Sequence, residues 1–438
     1  MKPTSRRHFL KTTVLAAPYI GWKTAAQGVG PNDTIHLASF GGGGRAGADI
    51  KGFASVPGTK LVAMCDLDPR RAMGSMQAHP DATFYDDWRV MLEKEADNFV
   101  GIGCGTPDHM HAPMSHSAMQ LGKHVYTQKP LTRTLHECRT LTDYAAEHGL
   151  ATQMGNQLGS KKGNRTAVKA LRNGVIGNVS QVHSMNPKNW GTLDPFTNQA
   201  DEIPSGFDWD AWLGIAADRP FVAGQYHPGQ WRKRLDFGTA TLGDMGCHIV
   251  HPWMKGLNSP IPVSVTSHGP GPVDAHSWPI NSHVVWEFEG GLTATWYDGN
   301  QFPDEAVQVA VGGRENVPTS GSVVIGDNGA LAIPHGGSGM PILYRAGVKV
   351  EGEIQAVEDG DHFTDWIGAI RGEVEETVSD FKIAGPATEV VLMGTVALRV
   401  PGETLKWDAK TAKFTNSETA NRLVKQPYRE GWGVKGLG

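Results

Sequence analysis

The stretch Thr34-Ile35-His36-Leu37-Ala38-Ser39-Phe40-Gly41-Gly42-Gly43-Gly44-Arg45-Ala46-Gly47 decides the fold. Its first seven residues read as a β-strand, four glycines follow, and a helical run through Ile50 and Phe53 comes next. A pyrophosphate needs that order. Glycines let the backbone approach the phosphates, and a helix start offers free N–H groups and the positive end of its dipole. Two registers fit the fingerprint, Gly41-x-Gly43-x-x-Ala46 and Gly42-x-Gly44-x-x-Gly47. The first is preferred, because Gly41 then follows the strand end directly. Residues 60–65 form a second strand that ends at Asp66, where an acid can accept hydrogen bonds from ribose hydroxyls. Asp66 would repel a 2′-phosphate, which favours NAD. Arg70 and Arg71 lie just beyond and leave NADP open.

Further along, residues 98–104, 124–127 and 151–154 read as strands, with helices opening near Pro69 and Thr106-Pro107-Asp108 and running over 135–148. Strands that alternate with helices imply parallel βαβ units. After about residue 178 the texture changes. Residues 179–185 alternate, 283–297 read as an antiparallel hairpin around Glu289-Gly290-Gly291, and 311–349 hold short strands with glycine-rich turns. Helical periodicity returns at 362–370 and 387–398. The expected class is α/β: a Rossmann doubly wound parallel sheet over 33–157, then a C-terminal α+β domain over 158–438 with a large, mostly antiparallel open sheet. Residues 190–238 have little periodicity and four tryptophans, and a loop of that length is usually functional.

The chain has 438 residues, 40 Lys+Arg against 45 Asp+Glu, and a net charge of −5, with no basic block. Nucleic-acid binding, which rests on phosphate neutralisation, is not expected. The longest apolar run noted, around Val14 to Trp22, is interrupted by Pro18 and is too short for a spanning helix. Four cysteines (65, 104, 138, 247) form no C-x-x-C pair, and His109, His111 and His116 lack nearby acids, so no metal site is expected. The N-terminus reads Ser5-Arg6-Arg7-His8-Phe9-Leu10-Lys11, then weakly apolar residues, then Thr24-Ala25-Ala26. This resembles a twin-arginine (Tat) export signal over 1–26, which implies the Tat machinery as a partner and a periplasmic or otherwise exported protein.

Gly41 to Arg45, Thr106-Pro107-Asp108-His109, Gly122 to Leu131 with its Gln128-Lys129-Pro130, and Gly243-Asp244-Met245-Gly246-Cys247-His248 together resemble the glucose–fructose oxidoreductase / inositol dehydrogenase / MocA (Gfo/Idh/MocA) family. The closest likeness is to its Tat-exported subgroup with Gln-Lys-Pro. The resemblance implies a cofactor site of Gly41, Gly43, Gly44, Arg45, Ala46, Asp66, Thr106, Pro107, His109, Gln128 and Lys129. It also implies that Lys129 hydrogen-bonds the reacting substrate oxygen. The usual Glu-Lys-Pro is Gln-Lys-Pro here, which removes a carboxylate from beside Lys129. Asp244 and His248, four apart on a helix, share a face. With the family likeness, His248 is the expected general base and Asp244 its nearby acidic partner, while Lys129 remains an alternative proton carrier. Asn156, Gln157, Tyr226, Trp231, Arg232 and Asp236 are the candidate substrate contacts.

The expected function is hydride transfer between a tightly held nicotinamide and a carbinol of a sugar, sugar derivative or cyclitol. One alternative is redox-neutral, NAD-dependent glycoside cleavage through a 3-keto intermediate. Another is a non-catalytic sensor of NAD and sugar. The resemblance also implies a homo-oligomer.

Overall fold

The computed structural model describes residues 34–336 and 339–438, so the twin-arginine segment lies outside the described residues. Six strands, β1 (Ile35–Phe40), β2 (Thr59–Cys65), β3 (Thr83–Tyr85), β4 (Gly101–Cys104), β5 (His124–Thr127) and β6 (Thr152–Met154), form one parallel sheet in the order β3-β2-β1-β4-β5-β6. Their residues are near-continuously apolar, as expected of strands covered on both faces: Leu37, Ala38, Phe40, Ala63, Met64 and Ile102 are all buried. The strand order reverses between β1 and β4. The crevice at that switch point is where such sheets bind ligands, and the glycine turn leaves β1 there. Helix Leu135–His148 shows why this half reads well from sequence. Thr134 and Glu137 make a reciprocal capping box at its start, and Gly149 closes it in the left-handed region. Strand β3 escapes sequence reading, because three half-exposed residues at a sheet edge carry no measurable alternation.

The second sheet has ten strands: β7 (Val179–Asn186), β8 (Pro262–Ser267), β9 (His283–Phe288), β10 (Thr293–Asp298), β11 (Gly321–Gly326), β12 (Gly329–Pro334), β13 (Ile342–Arg345), β14 (Val348–Val350), β15 (Leu405–Asp408) and β16 (Lys413–Phe414). The order is β14-β13-β12-β11-β7-β10-β9-β8-β15-β16, antiparallel except for the central pair β7 and β10. The expected hairpin is β9 and β10, paired antiparallel around Glu289–Gly291. The large, mostly antiparallel sheet of the expected α+β half is therefore present.

Helices Ala240–Gly256 and Phe381–Leu398 pack together and cover one face of this sheet. Two polar contacts fix the first of them on the strands. Trp253 Nε1 donates to Ser184 Oγ at 3.3 Å, and Ser322 Oγ donates to the Ile249 carbonyl at 3.2 Å. The other face carries a smaller core of Met185, Tyr297, Val323, Ala332 and Tyr344. Helix Phe381–Leu398 begins six residues earlier than the periodicity suggests. Pro386 sits inside it and looks like a boundary, but burial on nearly all sides holds the turn together, and Asp380 caps its start. Among the described residues it is also the one helix long and apolar enough to cross a membrane, and 89 % of that window is buried inside the protein, as for a core helix. All four cysteines are free and buried.

Candidate active site

A cavity of about 500 Å³ opens at the C-terminal ends of the parallel strands. Gly41, Gly43 and Gly44 follow β1, Asp66 and Leu67 follow β2, Thr106 and Pro107 follow β4, and Gln128 and Lys129 follow β5. The opposite wall comes from the 190–238 segment, which contributes Phe207, Trp212, His227, Trp231 and Arg232. That segment holds its shape with its own aromatic core, in which Trp209, Trp212, Phe221, Tyr226 and Phe237 pack together.

The turn fits a dinucleotide pyrophosphate. Helix Gly44–Ala54 starts at Gly43 with no side-chain cap and no acid in its first turn, so its leading N–H groups are free to meet an anion. Gly41 has φ +93°, and a Cβ there would meet the Ala46 Cβ at 2.8 Å. A Cβ on Gly43 would meet the Arg71 carbonyl at 2.6 Å. The other register is as tightly packed: Gly44 has φ +54°, and a Cβ on Gly47 would meet the Gly42 carbonyl at 2.9 Å. Asp66 does more than face the cavity. Its Oδ2 accepts from Gly42 N at 2.8 Å and Gly43 N at 3.2 Å, and its Oδ1 accepts from Asp68 N at 2.9 Å. It braces the turn and still borders the cavity. His109 also borders it, but its ring is wedged between Trp212 and Phe237, and burial pushes its pKa down to about 3.

Lys129 Nζ donates to Asp244 Oδ1 and to the Asp244 carbonyl, both at 2.7 Å. Trp190 Nε1 donates to Asp244 Oδ2 at 2.8 Å, Arg232 Nε donates to Oδ1 at 3.3 Å, and Lys188 Nζ lies 3.7 Å from Oδ2. Burial raises the Asp244 carboxyl, but the charges of Lys129, Arg232 and Lys188 outweigh it and hold the group well below the usual carboxylate range. The shared helix face does bring Asp244 and His248 close, but Asp244 does not hold the imidazole. It serves Lys129, while Asn156 Oδ1 accepts from His248 Nδ1 at 2.6 Å. Burial, then the charges of Lys129 and His335, push His248 well below the normal imidazole pKa.

Gln128 has a structural reason to be an amide. Its Nε2 donates to Asp49 Oδ2 at 2.8 Å, and Asp49 is a buried carboxylate paired with Arg45. A carboxylate at 128 would face another carboxylate.

Three substrate candidates are not among the residues that line the cavity. Tyr226 is fully buried among Trp209, Trp212 and Phe237 and does not reach the cavity. Asp236 is paired with Arg219. Gln157 donates to Tyr126 Oη at 2.6 Å and to Asp49 Oδ1 at 3.4 Å, behind Gln128. Trp231 and Arg232 do line the cavity, and Asn156 acts through His248. Sequence reading missed Asp49, Lys188, Trp190 and His335, whose ring centre lies 5.5 Å from that of His248. Lys188 and Trp190 directly follow β7, and a strand-end position was their available signal. Among the described residues no cluster of His, Cys, Asp or Glu suits a metal.

Residues 36–156 match the oxidoreductase family's NAD-binding Rossmann fold, and residues 168–312 and 350–434 match its C-terminal alpha/beta domain. A glycosyl hydrolase family 109 protein of Solibacter usitatus is 31 % identical over 162 residues, 33 % of this chain and 36 % of that protein. Glycosyl hydrolase family 109 protein 1 of Bacteroides fragilis is 33 % identical over 114 residues, 24 % of each. The chain thus spans well under half the length of these curated relatives. Two solved structures share the fold: aldose-aldose oxidoreductase from Caulobacter crescentus complexed with glycerol (TM-score 0.58, 16 % identity, 85 % of this chain and 99 % of that one) and the WlbA dehydrogenase from Bordetella pertussis with NADH and UDP-GlcNAcA (TM-score 0.59, 14 % identity, 86 % and 99 %). With both of its domains matched in order, the chain belongs to the Gfo/Idh/MocA oxidoreductase family.

Proposed function

We propose that the protein is an NAD-dependent enzyme that oxidises a carbinol carbon of a sugar, sugar derivative or cyclitol and can reverse that step. The observation that carries this reading is the junction of Lys129, from the strand-end wall of the dinucleotide cavity, with the helix that bears Asp244 and His248. When bound, the nicotinamide supplies the hydride acceptor and donor. In this reading the Lys129 ammonium hydrogen-bonds the carbinol oxygen and favours its alkoxide character. The His248 Nε2 takes the hydroxyl proton, since Asn156 keeps the ring's own proton on Nδ1. Asp244 fixes the lysine, and the aromatic 190–238 segment keeps water out.

The same wall supports tight retention of the cofactor, which suits export of a folded protein by the twin-arginine route. Mass spectrometry of small molecules released from denatured native protein should find a nicotinamide dinucleotide, and an empty protein would count against retention. A sugar and polyol panel read by nicotinamide absorbance tests the chemistry. Turnover should collapse in Lys129→Met and His248→Asn, and unchanged turnover in both would overturn the assignment.

A second reading is favoured by the glycosyl hydrolase family 109 names of the curated relatives. Oxidation at a ring carbon acidifies the neighbouring C–H. Loss of that proton expels the glycosidic oxygen, water adds, and the carbonyl is reduced again with no net redox change. Nitrophenyl glycosides separate the two readings: this one releases aglycone with no net change in nicotinamide absorbance.

A further inference from the structure

The carboxylate of Asp244 is met by three cations although one suffices to neutralise it. Lys129, at 2.7 Å, makes the ion pair. Arg232 and Lys188, at 3.3 and 3.7 Å, are in excess. Asp108 lines the same cavity, accepts from Thr239 Oγ1 at 2.7 Å, and feels the charges of His111, Arg232 and Lys129. Even an ionised Asp108 balances only one of the two cations in excess, and one remains. The excess is accessible: the Lys188 side chain is 52 % exposed and that of Arg232 is 28 % exposed. The Arg232 guanidinium carbon lies 5.3 and 4.2 Å from the ring centres of Trp190 and Trp231, and its Nε is the atom that meets Asp244. That leaves the two terminal nitrogens for a further partner, and such a pair matches an oxyanion. His248 and His335 stand beside these cations and are both pushed toward the neutral form, first by burial and then by neighbouring positive charge.

We propose that the substrate is an anionic sugar, whose carboxylate or ester oxyanion is received by Lys188 and the Arg232 fork while its carbinol faces Lys129 and His248. This rests on the sugar-oxidising reading above and narrows it. A uronate, a sugar sulfate and a sugar phosphate share the required chemistry, and the pocket treats them as competing sources of one group. A neutral sugar offers Lys188 and Arg232 no counter-charge.

Two readouts test it. Titration of the purified holoenzyme with glucuronate, glucose 6-sulfate, glucose 6-phosphate and glucose, followed by calorimetry, measures binding separately from turnover. Nicotinamide absorbance measures hydride transfer separately. At least one anion should bind 10-fold or more tighter than glucose, and more weakly as salt rises. Lys188→Gln, a half-exposed site that should fold normally, should weaken that anion about 10-fold more than it weakens glucose. Glucose binding as tightly as all three anions, or Lys188→Gln weakening glucose and anion alike, would overturn the proposal. Lys188-dependent anion binding with no nicotinamide signal would uphold the anion site and sink the hydride reading. Turnover of neutral sugars with no anion preference would do the reverse.

Discussion

Asn156 Oδ1 accepts the hydrogen bond of His248 Nδ1 at 2.6 Å, and Asn156 Nδ2 donates to the Cys247 carbonyl at 3.1 Å. The second bond orients the amide, so the first leaves Nε2 as the basic nitrogen. A neutral amide does not favour the imidazolium as a carboxylate would, and burial with Lys129 nearby disfavours it further. The base should therefore stay neutral, and the rate flat, to lower pH than an ordinary histidine allows. Asn156→Asp should raise the His248 pKa and move the acid limb of the kcat profile to higher pH. Asn156→Ala should lower kcat roughly 10- to 100-fold, part of the ~10²–10⁴ a positioned base contributes. A kcat–pH profile unmoved by Asn156→Asp would contradict this arrangement.

Lys129→Met removes the ammonium and leaves Asp244 with Arg232, Lys188 and Trp190. Those three partners should keep the carboxylate satisfied. The cost in melting temperature should be small, while kcat falls on the order of 10²- to 10³-fold, the size of losing one donor at a developing oxyanion. Parallel melting curves and kcat measurements check the split, and a large loss of stability with intact kcat would reverse the assigned role.

Gln128→Glu would set a second carboxylate against Asp49, which burial already holds above its usual pKa against the pull of Arg45 and Gln128. A carboxyl raised in the folded state binds its proton more tightly there than when unfolded, so stability falls as pH rises through the titration. The variant should lose about 1–3 kcal/mol near pH 8 and much less near pH 5. Adding Asp49→Asn, whose amide can donate to the introduced carboxylate, should recover part of the loss. Thermal melts at both pH values decide it.

Asp298, which does not line the cavity, offers a further pH test. Burial pushes its pKa up to about 7, while Ser282 Oγ and Trp296 Nε1, the latter at 2.8 Å, donate to its Oδ2. An unfolded aspartate titrates near pH ~4. The folded state therefore holds the extra proton between ~4 and about 7, and stability declines with pH across that window. Asp298→Asn should flatten the decline and be more stable than the parent near pH 8, by an amount on the order of a few kcal/mol. Parallel melting curves for the two proteins across pH 4–8 would disprove this.

The parallel sheet was legible because its strands are buried on both faces and its turns carry strong local chemistry: the glycine run after Phe40 and the Thr134 capping box. The site was legible only where one chain segment carried the signal. Gly41, Asp66, Thr106 and Lys129 all sit at strand ends and all border the cavity. Partnerships were less legible. Asp244 and His248 share a helix face, but their partners, Lys129 and Asn156, come from more than ninety residues away. Tyr226 and Asp236 sit in the loop that forms the wall, yet one feeds the loop's own aromatic core and the other pairs with Arg219. Composition names the loop, and only packing says which side chains face inward.

Helix Ala240–Gly256 is pinned to the open sheet through Trp253 and Ile249, yet its other end carries the groups that meet Lys129. Asp244 and His248 are thus moored in one half of the protein and the nucleotide turn in the other. The loop bearing Lys188 and Trp190 grows from the sheet and is tied to this helix at Thr241 and Asp244, so changes there reach the cavity directly. A lineage built this way can re-address itself to new substrates by rewriting a few strand-end residues, and laboratory selection for altered substrate choice should find its solutions there.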